Sequence, residues 1–397
     1  MTLAKLKSQL KTFAIKGVNT LGPTSKLIGS PRGLMDIREW INRFGNRYGA
    51  AINEVMPGSH LQEKPPFTLE TKIHRFYQNE INREIWPVFV ATIPCARVWG
   101  RCGTVIAPND ILLTDVSREF GAYGGITGRN HSVNKRFALG KCSLLQGKAA
   151  IIGSAGAANY HHFLYDTVCR VHALKLAGVF DQIDHFIFDY TGLRFQKESI
   201  KLLGIPEEKI IRANDTWKFH IEVESLFIPS LPARLGTISP WMVEFLRTTF
   251  LKEKNQTPAR LYISRKKAPT RKVANETAVM DFLKSKGFIE FFAEDHSLVE
   301  TAAYFAAADS VVGVHGSGFA NLAFSSSGTR VIDIVAPRHL DAYYWMITNA
   351  THSSYGYLFG KGDRPDEGLD LVTTKIDHDI EVNIGELEKL LHLMESK

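Results

Sequence analysis

Short apolar runs alternate with amphipathic stretches along most of the chain after residue 147, and this alternation predicts two series of strands and helices. In the first series the predicted strands are KAAIIG, HFIFDY, KIIRA and VESLFIP, and the predicted helices cover 159–177 and 195–203. In the second series the strands are RLYIS, FIEFF, SVVGVH and RVIDIV, and the helices cover 275–286 and 297–308. Strands that alternate with helices pair in parallel, so each series predicts a Rossmann-like α/β domain.

Breaks in this pattern divide the chain. The stretch PSLPARLGTISP at 229–240 is rich in proline and glycine and interrupts the alternation, so the domain crossing is placed there. Upstream, 88–116 mixes β-forming residues with Gly and Pro-Asn-Asp breaks, which predicts a small antiparallel layer of hairpins. The predicted parts are an N-terminal segment (1–85), a first Rossmann-like domain with the hairpin layer (86–234) and a second Rossmann-like domain (235–397). A length of 397 residues agrees with two domains.

The N-terminal segment begins with a predicted amphipathic helix over 3–17. Leu3, Leu6, Leu10 and Phe13 recur at three- and four-residue steps with lysines between them. We favour packing of this helix on its own protein or on a neighbouring subunit, because the apolar stripe is short. The alternative is contact with an anionic membrane surface.

Composition narrows the classes of partner. The chain is 44% hydrophobic and has no apolar run near the roughly 18 residues that spanning a bilayer needs, so it is expected to be soluble. The four cysteines form no CxxC pair and the N-terminus lacks a secretory signal pattern, which favours the cytoplasm, with at most peripheral contact with the inner membrane face. A net charge of +7 attracts acidic partners, but the basic residues are scattered and no nucleic-acid-binding motif is found.

Two loops of the second domain predict an anion site. The turn His315-Gly316-Ser317-Gly318 follows a buried strand and precedes a helix predicted from about Phe319, and N–H groups at a helix N-terminus attract phosphate. The basic loop after RLYIS leaves the same edge of a parallel sheet, where ligands bind. Its Arg265 suits phosphate best because guanidinium can hold two oxygens at once.

The helix NYHHFLYDTVCRVHALKL predicts an acid/base pair in the first domain. Asn159, His162, Asp166 and Arg170 are spaced to share one helical face, while apolar residues occupy another. A carboxylate one turn from a histidine can orient the imidazole and raise its basicity. Ordinary ion pairing on an exposed face is the alternative interpretation.

Three other chemistries fit less well. Ser317 lacks the G-x-S-x-G context of a hydrolase nucleophile, because residue 315 is His. The turn departs from G-x-G-x-x-G and has no acidic residue at the ribose position, which disfavours a nicotinamide cofactor. The triplet Asp377-His378-Asp379 precedes a final amphipathic helix, where acidic residues favour the dipole, so no metal site is predicted there.

Taken together, these motifs resemble glycosyltransferase family 61 over roughly 88–360. The matching residues are Asn159, Tyr160, His162, Phe163, Asp166 and Arg170 in the helix, Tyr262 to Arg265, then Arg271, Asn275 and Glu276, and finally His315, Gly316, Gly318 and Asn321. Two positions depart from the family pattern. Cys169 stands where relatives often have Pro, and Thr301 stands beside Glu300 where they often have Gln.

The resemblance implies a GT-B-like fold, with two Rossmann-like domains facing a cleft. It also implies inverting transfer of a sugar from a nucleotide sugar to a glycan hydroxyl, without a cofactor or an essential metal. UDP-sugars and cell-surface or capsular polysaccharide synthesis are the expected context. The alternative is a catalytically silent glycan-binding or assembly subunit of the same fold.

Roles for individual residues follow from these arguments together. His162 or Asp166 is the base, and the sequence does not choose between them. Asn159 and Arg170 position the acceptor. The predicted donor-binding residues are Arg265, Arg271, Asn275, Glu300, His315, Gly316, Ser317, Gly318 and Asn321.

Overall fold

The computed structural model describes residues 29–121, 124–214, 218–252, 259–337, 340–362, 364 and 379–396. The predicted helix over 3–17 lies outside the described residues, and so do Asp377 and His378 of the D-x-D triplet.

Strands and helices are numbered along the described residues. The strands are β1 (Gly33–Met35), β2 (Ala51–Met56), β3 (Ser59–Gln62), β4 (Asn82–Ile85), β5 (Val88–Trp99), β6 (Thr104–Ile106), β7 (Ile111–Leu113), β8 (Glu119–Gly121), β9 (Gly124–Ile126), β10 (Ser143–Ile151), β11 (His185–Phe188), β12 (Ile210–Arg212), β13 (His220–Pro229), β14 (Ala259–Ile263), β15 (Phe288–Phe291), β16 (Ala308–Val314), β17 (Arg330–Val335) and β18 (Ser354–Phe359). The α-helices are α1 (Ile37–Tyr48), α2 (Arg75–Glu80), α3 (Tyr160–His162), α4 (Cys169–Leu176), α5 (Arg194–Leu203), α6 (Pro240–Phe250), α7 (Glu276–Ser285), α8 (Leu298–Ala307), α9 (Tyr343–Ala350) and α10 (Ile384–Glu395).

The chain divides into two compact units. Unit 1 comprises Met1–Pro57 and Pro87–Pro232, and unit 2 comprises Gly58–Trp86 and Ala233–Lys397. The later crossing, after Pro232, falls within the predicted break at 229–240. The predicted N-terminal segment 1–85 is shared between the units, because 58–85 belongs to unit 2.

Unit 1 contains a nine-stranded mixed sheet in the order β1-β7-β6-β5-β13-β10-β11-β12, with β2 also paired to β5. The strands β13, β10, β11 and β12 are parallel, as the alternating pattern predicts. The predicted hairpin layer is not a separate layer, however. The long strand β5 pairs antiparallel with β13, so 88–116 extends the parallel part into one sheet. An antiparallel partner fits here because the apolar residues of β5 and β13 enter one buried cluster.

Unit 2 contains a five-stranded parallel sheet in the order β15-β14-β16-β17-β18. Its core lies between this sheet and the helices α7 and α10, with Val279, Leu283, Leu387 and Leu390 packed against the strands. The strands β14 and β16 are followed by the two loops that the sequence predicts to bind an anion. The predicted α/β class is therefore confirmed.

Helix ends follow local chemistry. The helix α8 begins at a capping box in which Ser297 Oγ accepts from the backbone of Glu300, while the Glu300 carboxylate accepts from the Ser297 backbone. Pro240 opens α6 at the first-turn position, where its missing N–H costs nothing. No helix in the described ranges is long and apolar enough to cross a bilayer.

Candidate functional site

The predicted acid/base helix of unit 1 contains a π-helical turn. The segment 159–177 was predicted as one helix, but α3 and α4 flank a π turn over Phe163–Val168. One extra residue per turn shifts the later side chains relative to a straight α-helix, and such turns occur often at functional sites. The four polar residues therefore do not share one exposed face.

Within this turn, His162 and Asp166 form a direct pair. His162 Nδ1 lies 2.9 Å from Asp166 Oδ2, and the two side chains are 23% and 26% exposed. The pair is therefore open to a ligand while its geometry is fixed by protein contacts. A hydrogen bond from Nδ1–H to the carboxylate leaves Nε2 as the basic nitrogen of a neutral imidazole.

Positive charge surrounds the Asp166 carboxylate. Burial alone would raise the pKa of Asp166, but its hydrogen bond to His162 and the charges of His162, Arg118 and His161 lower that pKa below its ordinary value. The carboxylate therefore stays ionised at neutral pH and is a weak base. The arrangement favours Asp166 as the group that orients His162.

The two residues predicted to position the acceptor have structural contacts. Asn159 is the N-cap of α3, and its Oδ1 accepts from the backbone N–H of His161 and His162. Arg170 is 1% exposed and donates to the carbonyls of Gly153 and Pro229. Burial lowers the pKa of Arg170 to about 9, so it remains charged at neutral pH. An acceptor contact is not visible for either residue and stays a prediction.

In unit 2, Arg265 and Arg271 form a pair of like charges after β14. Arg265 Nε donates to the Arg271 carbonyl at 3.0 Å, and Arg265 Nη2 donates to the Thr270 carbonyl at 2.9 Å. Arg271 adopts a left-handed backbone (φ +56°), which is rare outside glycine and directs its carbonyl to Arg265. Burial, and then the charge of Arg271, lower the pKa of Arg265 to about 10. Two half-buried arginines in contact through the backbone suit an anion, and their predicted contacts with the donor stay predictions.

The turn after β16 lies against this pair. Arg271 Nη1 donates to the His315 carbonyl at 2.9 Å. A Cβ atom on Gly316 would lie 2.1 Å from Arg265 Nη1, so only glycine lets the guanidinium reach the turn. The missing side chain at Gly316 therefore leaves the space that the Arg265 guanidinium occupies. The basic loop and the turn, which the sequence treated as two signals, form one site.

His315 is an ion-paired residue inside unit 2. Its Nδ1 lies 2.7 Å from Asp333 Oδ2 and its Nε2 lies 2.8 Å from Asp341 Oδ2, and the side chain is buried. Burial alone would lower the pKa of His315, but the two carboxylates raise it to about 10. The imidazolium has both nitrogens occupied by carboxylates, so we expect His315 to serve the donor site through its carbonyl and its charge. Its predicted contact with the donor stays a prediction.

The rest of the turn is a 3-10 helix over Ser317–Phe324 in place of the helix predicted from Phe319. Ser317 is half-buried at its first position, whereas Asn321 is buried and donates to the Gly318 carbonyl at 2.9 Å. A Cβ on Gly318 would lie 3.1 Å from Ile263, so this glycine allows the turn to pack on β14.

Two further predicted donor contacts have other partners. Both amide atoms of Asn275 bond to the Val382 backbone, and the Glu300 carboxylate belongs to the capping box of α8. Glu276, part of the same motif as Asn275, is buried and accepts from Tyr262 and Ser264. Glu276 thus holds Ser264, directly before Arg265, and the donor contacts of Asn275 and Glu300 stay predictions.

Sequence reasoning missed several neighbours of these groups. Arg118 and Phe120 line a small cavity together with Asp166, and the Phe120 ring centroid lies 4.7 Å from that of His162. Asp333 and Asp341 were missed because they lie far along the chain from His315.

Only the last residue of the D-x-D triplet lies within the described residues. Its Asp379 Oδ1 accepts from the Lys272 backbone N–H at 3.0 Å. The described part of the chain shows no cluster of three or more side chains suited to a metal ion.

Comparison with known proteins addresses the resemblance noted from the motifs. The family model Glycosyltransferase 61 matches residues 160–332. Residues 160–332 belong to glycosyltransferase family 61. The matched range is narrower than the 88–360 expected, but it contains the His162–Asp166 pair, Arg265, Arg271 and the turn at 315–318. No curated protein matches this chain significantly. The family implies a sugar donor and a glycan acceptor.

Proposed function

We propose that this glycosyltransferase is an inverting enzyme that transfers a sugar from a nucleotide sugar, preferably a UDP-sugar, to a hydroxyl of a glycan acceptor. The acceptor oxygen attacks the anomeric carbon, the bond from that carbon to the diphosphate breaks, and the hydroxyl proton passes to a base. One displacement inverts the configuration at the anomeric carbon. GT-B is the fold class that we propose for the two α/β units.

The observation that carries the proposal is the arginine pair after β14. Arg265 and Arg271 are held by backbone carbonyls beside the turn at 315–318, so their positive charges are in place before a ligand binds. Fixed cations of this kind stabilise the negative charge that develops on a departing diphosphate. Charge-assisted bonds from guanidinium to phosphate oxygens also orient the donor.

The His162–Asp166 pair supplies the base in this proposal. His162 takes the proton from the acceptor hydroxyl, and the ionised Asp166 stabilises the imidazolium that results. Direct proton transfer to Asp166 is less favourable because its pKa is lowered. A histidine–carboxylate pair with both side chains partly exposed argues against a catalytically silent subunit.

The cellular setting is also a proposal. Four free thiols fit a reducing compartment such as the cytoplasm. The basic N-terminal sequence at 3–17 would allow peripheral contact with an anionic membrane face. Cell-surface or capsular polysaccharide synthesis is the process that would use such a transferase.

The test compares Arg265→Ala with Arg260→Ala in UDP binding by calorimetry. The two arginines lie at opposite ends of β14, and Arg260 bonds to Glu395 and the Lys286 carbonyl. We expect Arg265→Ala to weaken UDP binding by about tenfold or more, because a hydrogen bond to a charged group contributes roughly 1.5–3 kcal/mol. Arg260→Ala is expected to leave it unchanged.

Hydrolysis of a panel of UDP- and GDP-sugars without acceptor then separates a transferase from a binding subunit. Turnover of one sugar nucleotide, reduced in Arg265→Ala, is the expected result. Absence of nucleotide binding by the wild type, or equal affinity in both variants, would rule out the donor site.

A further inference from the structure

A short extended segment, 118–120, lies against the His162–Asp166 pair in unit 1. Alternate side chains of an extended segment point to opposite sides. Glu119 faces one side, where it accepts from the Ser132 backbone N–H at 3.0 Å and approaches His131. Arg118 and Phe120 face the other side, where both line a small cavity with Asp166.

Phe120 presents an exposed aromatic ring next to the proposed base. The residue is 37% exposed, and its ring centroid lies 4.7 Å from the His162 ring. Exposed phenylalanines on a surface need no explanation when they stand alone. Here, however, one edge of the ring is fixed against the acid/base pair while the rest remains open to solvent.

The glycine at position 156 leaves the space that the Phe120 ring occupies. Gly156 has a left-handed backbone (φ +82°), and a Cβ there would lie 2.8 Å from Phe120 Cε2 and 3.2 Å from the His162 ring. The same glycine therefore leaves room for both rings. Their juxtaposition is built into the backbone of unit 1.

The cavity beside the rings matches one small polar group. Its volume is about 10 Å³, and its lining includes Arg118, Phe120 and Asp166 together with Ser154. A space of this size holds about one water molecule or one hydroxyl group. A sugar that covers the Phe120 ring could place a single hydroxyl here, next to the carboxylate.

We propose that Phe120 is the platform for the acceptor sugar, on which the apolar face of a pyranose ring stacks while one hydroxyl reaches the His162–Asp166 pair. Aromatic faces carry partial negative charge and attract the C–H groups that a pyranose presents on one face. Arg118 lines the same cavity as Asp166, and its positive charge is one of the causes, after the hydrogen bond and charge of His162, that lower the pKa of that carboxyl. The assignment rests on the proposed function for its chemistry, and its sugar-binding part is measurable without turnover.

The test uses Phe120→Ala, Phe120→Trp and the control Phe137→Ala. Phe137 is 52% exposed in unit 1 and does not line the cavity. Binding of cellobiose, lactose, maltose, xylobiose and diacetylchitobiose is followed by saturation-transfer NMR, and transfer to each is measured with the sugar nucleotides of the hydrolysis panel. Hydrolysis without acceptor is the internal reference.

For at least one disaccharide, we expect Phe120→Ala to raise the acceptor KM by about tenfold, with hydrolysis of the donor within about threefold of wild type. Phe120→Trp and Phe137→Ala should both keep the acceptor KM. If hydrolysis and transfer fall equally in Phe120→Ala, the ring only supports His162, and the platform is wrong. A wild type that binds none of the disaccharides overturns it as well.

Failure of the proposed function gives a different result. If no sugar nucleotide is turned over but a disaccharide binds and Phe120→Ala abolishes that binding, the platform stands and the transfer reaction does not. If sugar nucleotides are hydrolysed and Phe120→Ala leaves acceptor KM unchanged, the reaction stands and the platform does not.

Discussion

In the proposed reaction, proton transfer depends on His162 and Asp166, two side chains joined by one 2.9 Å hydrogen bond. We expect His162→Ala to lower kcat by about a hundredfold to ten-thousandfold, the usual cost of a lost general base. Asp166→Asn should cost less, because it removes an orienting charge but keeps a polar partner for Nδ1. Both variants should fold and bind UDP like wild type.

Steady-state kinetics of the two variants rank the groups. A larger loss in Asp166→Asn than in His162→Ala would make Asp166 the base, which the sequence left open. Turnover within about threefold of wild type in both variants would exclude the pair from proton transfer.

Another residue-scale effect concerns the buried ion pairs of His315. Because its folded pKa is raised from 6.5 to about 10, His315 stabilises the fold fully below about pH 6.5. This stabilisation declines as pH rises above that value and is lost once pH passes the folded pKa of about 10. We expect the melting temperature of the wild type to fall across this window for this reason.

Asp341→Asn isolates the effect, because it removes one of the two carboxylates and leaves the Asp333 pair. The pKa of His315 should be lower in this variant than in wild type. The stabilisation that its ion pairs contribute should therefore be lost completely at a lower pH. Melting curves recorded between pH 6 and pH 10 by circular dichroism measure both proteins. Parallel curves would mean that His315 does not titrate in this window.

At the scale of elements, α8 tests two roles proposed for one carboxylate. Glu300 completes a capping box with Ser297, and the family resemblance also makes it a donor contact. We expect Glu300→Ala to destabilise the protein by about 0.5–2 kcal/mol, as lost caps do. Glu300→Gln should keep the cap, because glutamine also forms capping boxes.

UDP affinity in these two variants then separates the roles. Chemical denaturation gives the stability and calorimetry gives the affinity. If Glu300→Gln is as stable as wild type and binds UDP equally well, the carboxylate is a cap. Weaker UDP binding in a stable Glu300→Gln would show that it touches the donor.

Elements were predictable where the local pattern determines them. The parallel strands of both sheets follow from apolar runs separated by amphipathic stretches, and Ser297 and Glu300 marked the start of α8. The helices α6 and α9 and the strand β18 were missed. The strand β18, SYGYLF, contains a glycine, and its register is set by β17 and not by its own sequence.

The structural contacts of the site residues were not predictable where distant partners decide them. The sequence placed Arg170 on one polar helical face with His162 and Asp166, whereas in the structure the carbonyls of Gly153 and Pro229 hold it inside unit 1, after the π turn. His315 was read as a ligand because Asp333 and Asp341 lie outside any local motif. The place of Arg265 beside the turn at 315–318 follows from the rule that strand ends of a parallel sheet meet at one edge, and its contact with the donor stays a prediction.

At the scale of the whole molecule, the proposed functions separate by unit. Unit 1 contains the His162–Asp166 pair with Phe120 beside it, and unit 2 contains the arginine pair with the turn at 315–318. Donor affinity should therefore respond to changes in unit 2 and acceptor KM to changes in unit 1.

Metal dependence is a property of the complete reaction and follows from how the leaving group is neutralised. A divalent ion in other transferases offsets diphosphate charge, a role that the guanidinium groups of Arg265 and Arg271 can fill here because protein contacts already position both. Asp379, the described carboxylate of the D-x-D triplet, is engaged with the Lys272 backbone. We therefore expect EDTA treatment to change kcat by less than about twofold relative to the untreated protein.

The measurement is initial-rate hydrolysis of the preferred sugar nucleotide in EDTA, and again after manganese is added in excess. Complete loss in EDTA with recovery in manganese would mean that the arginines do not suffice and that a metal joins them at the diphosphate.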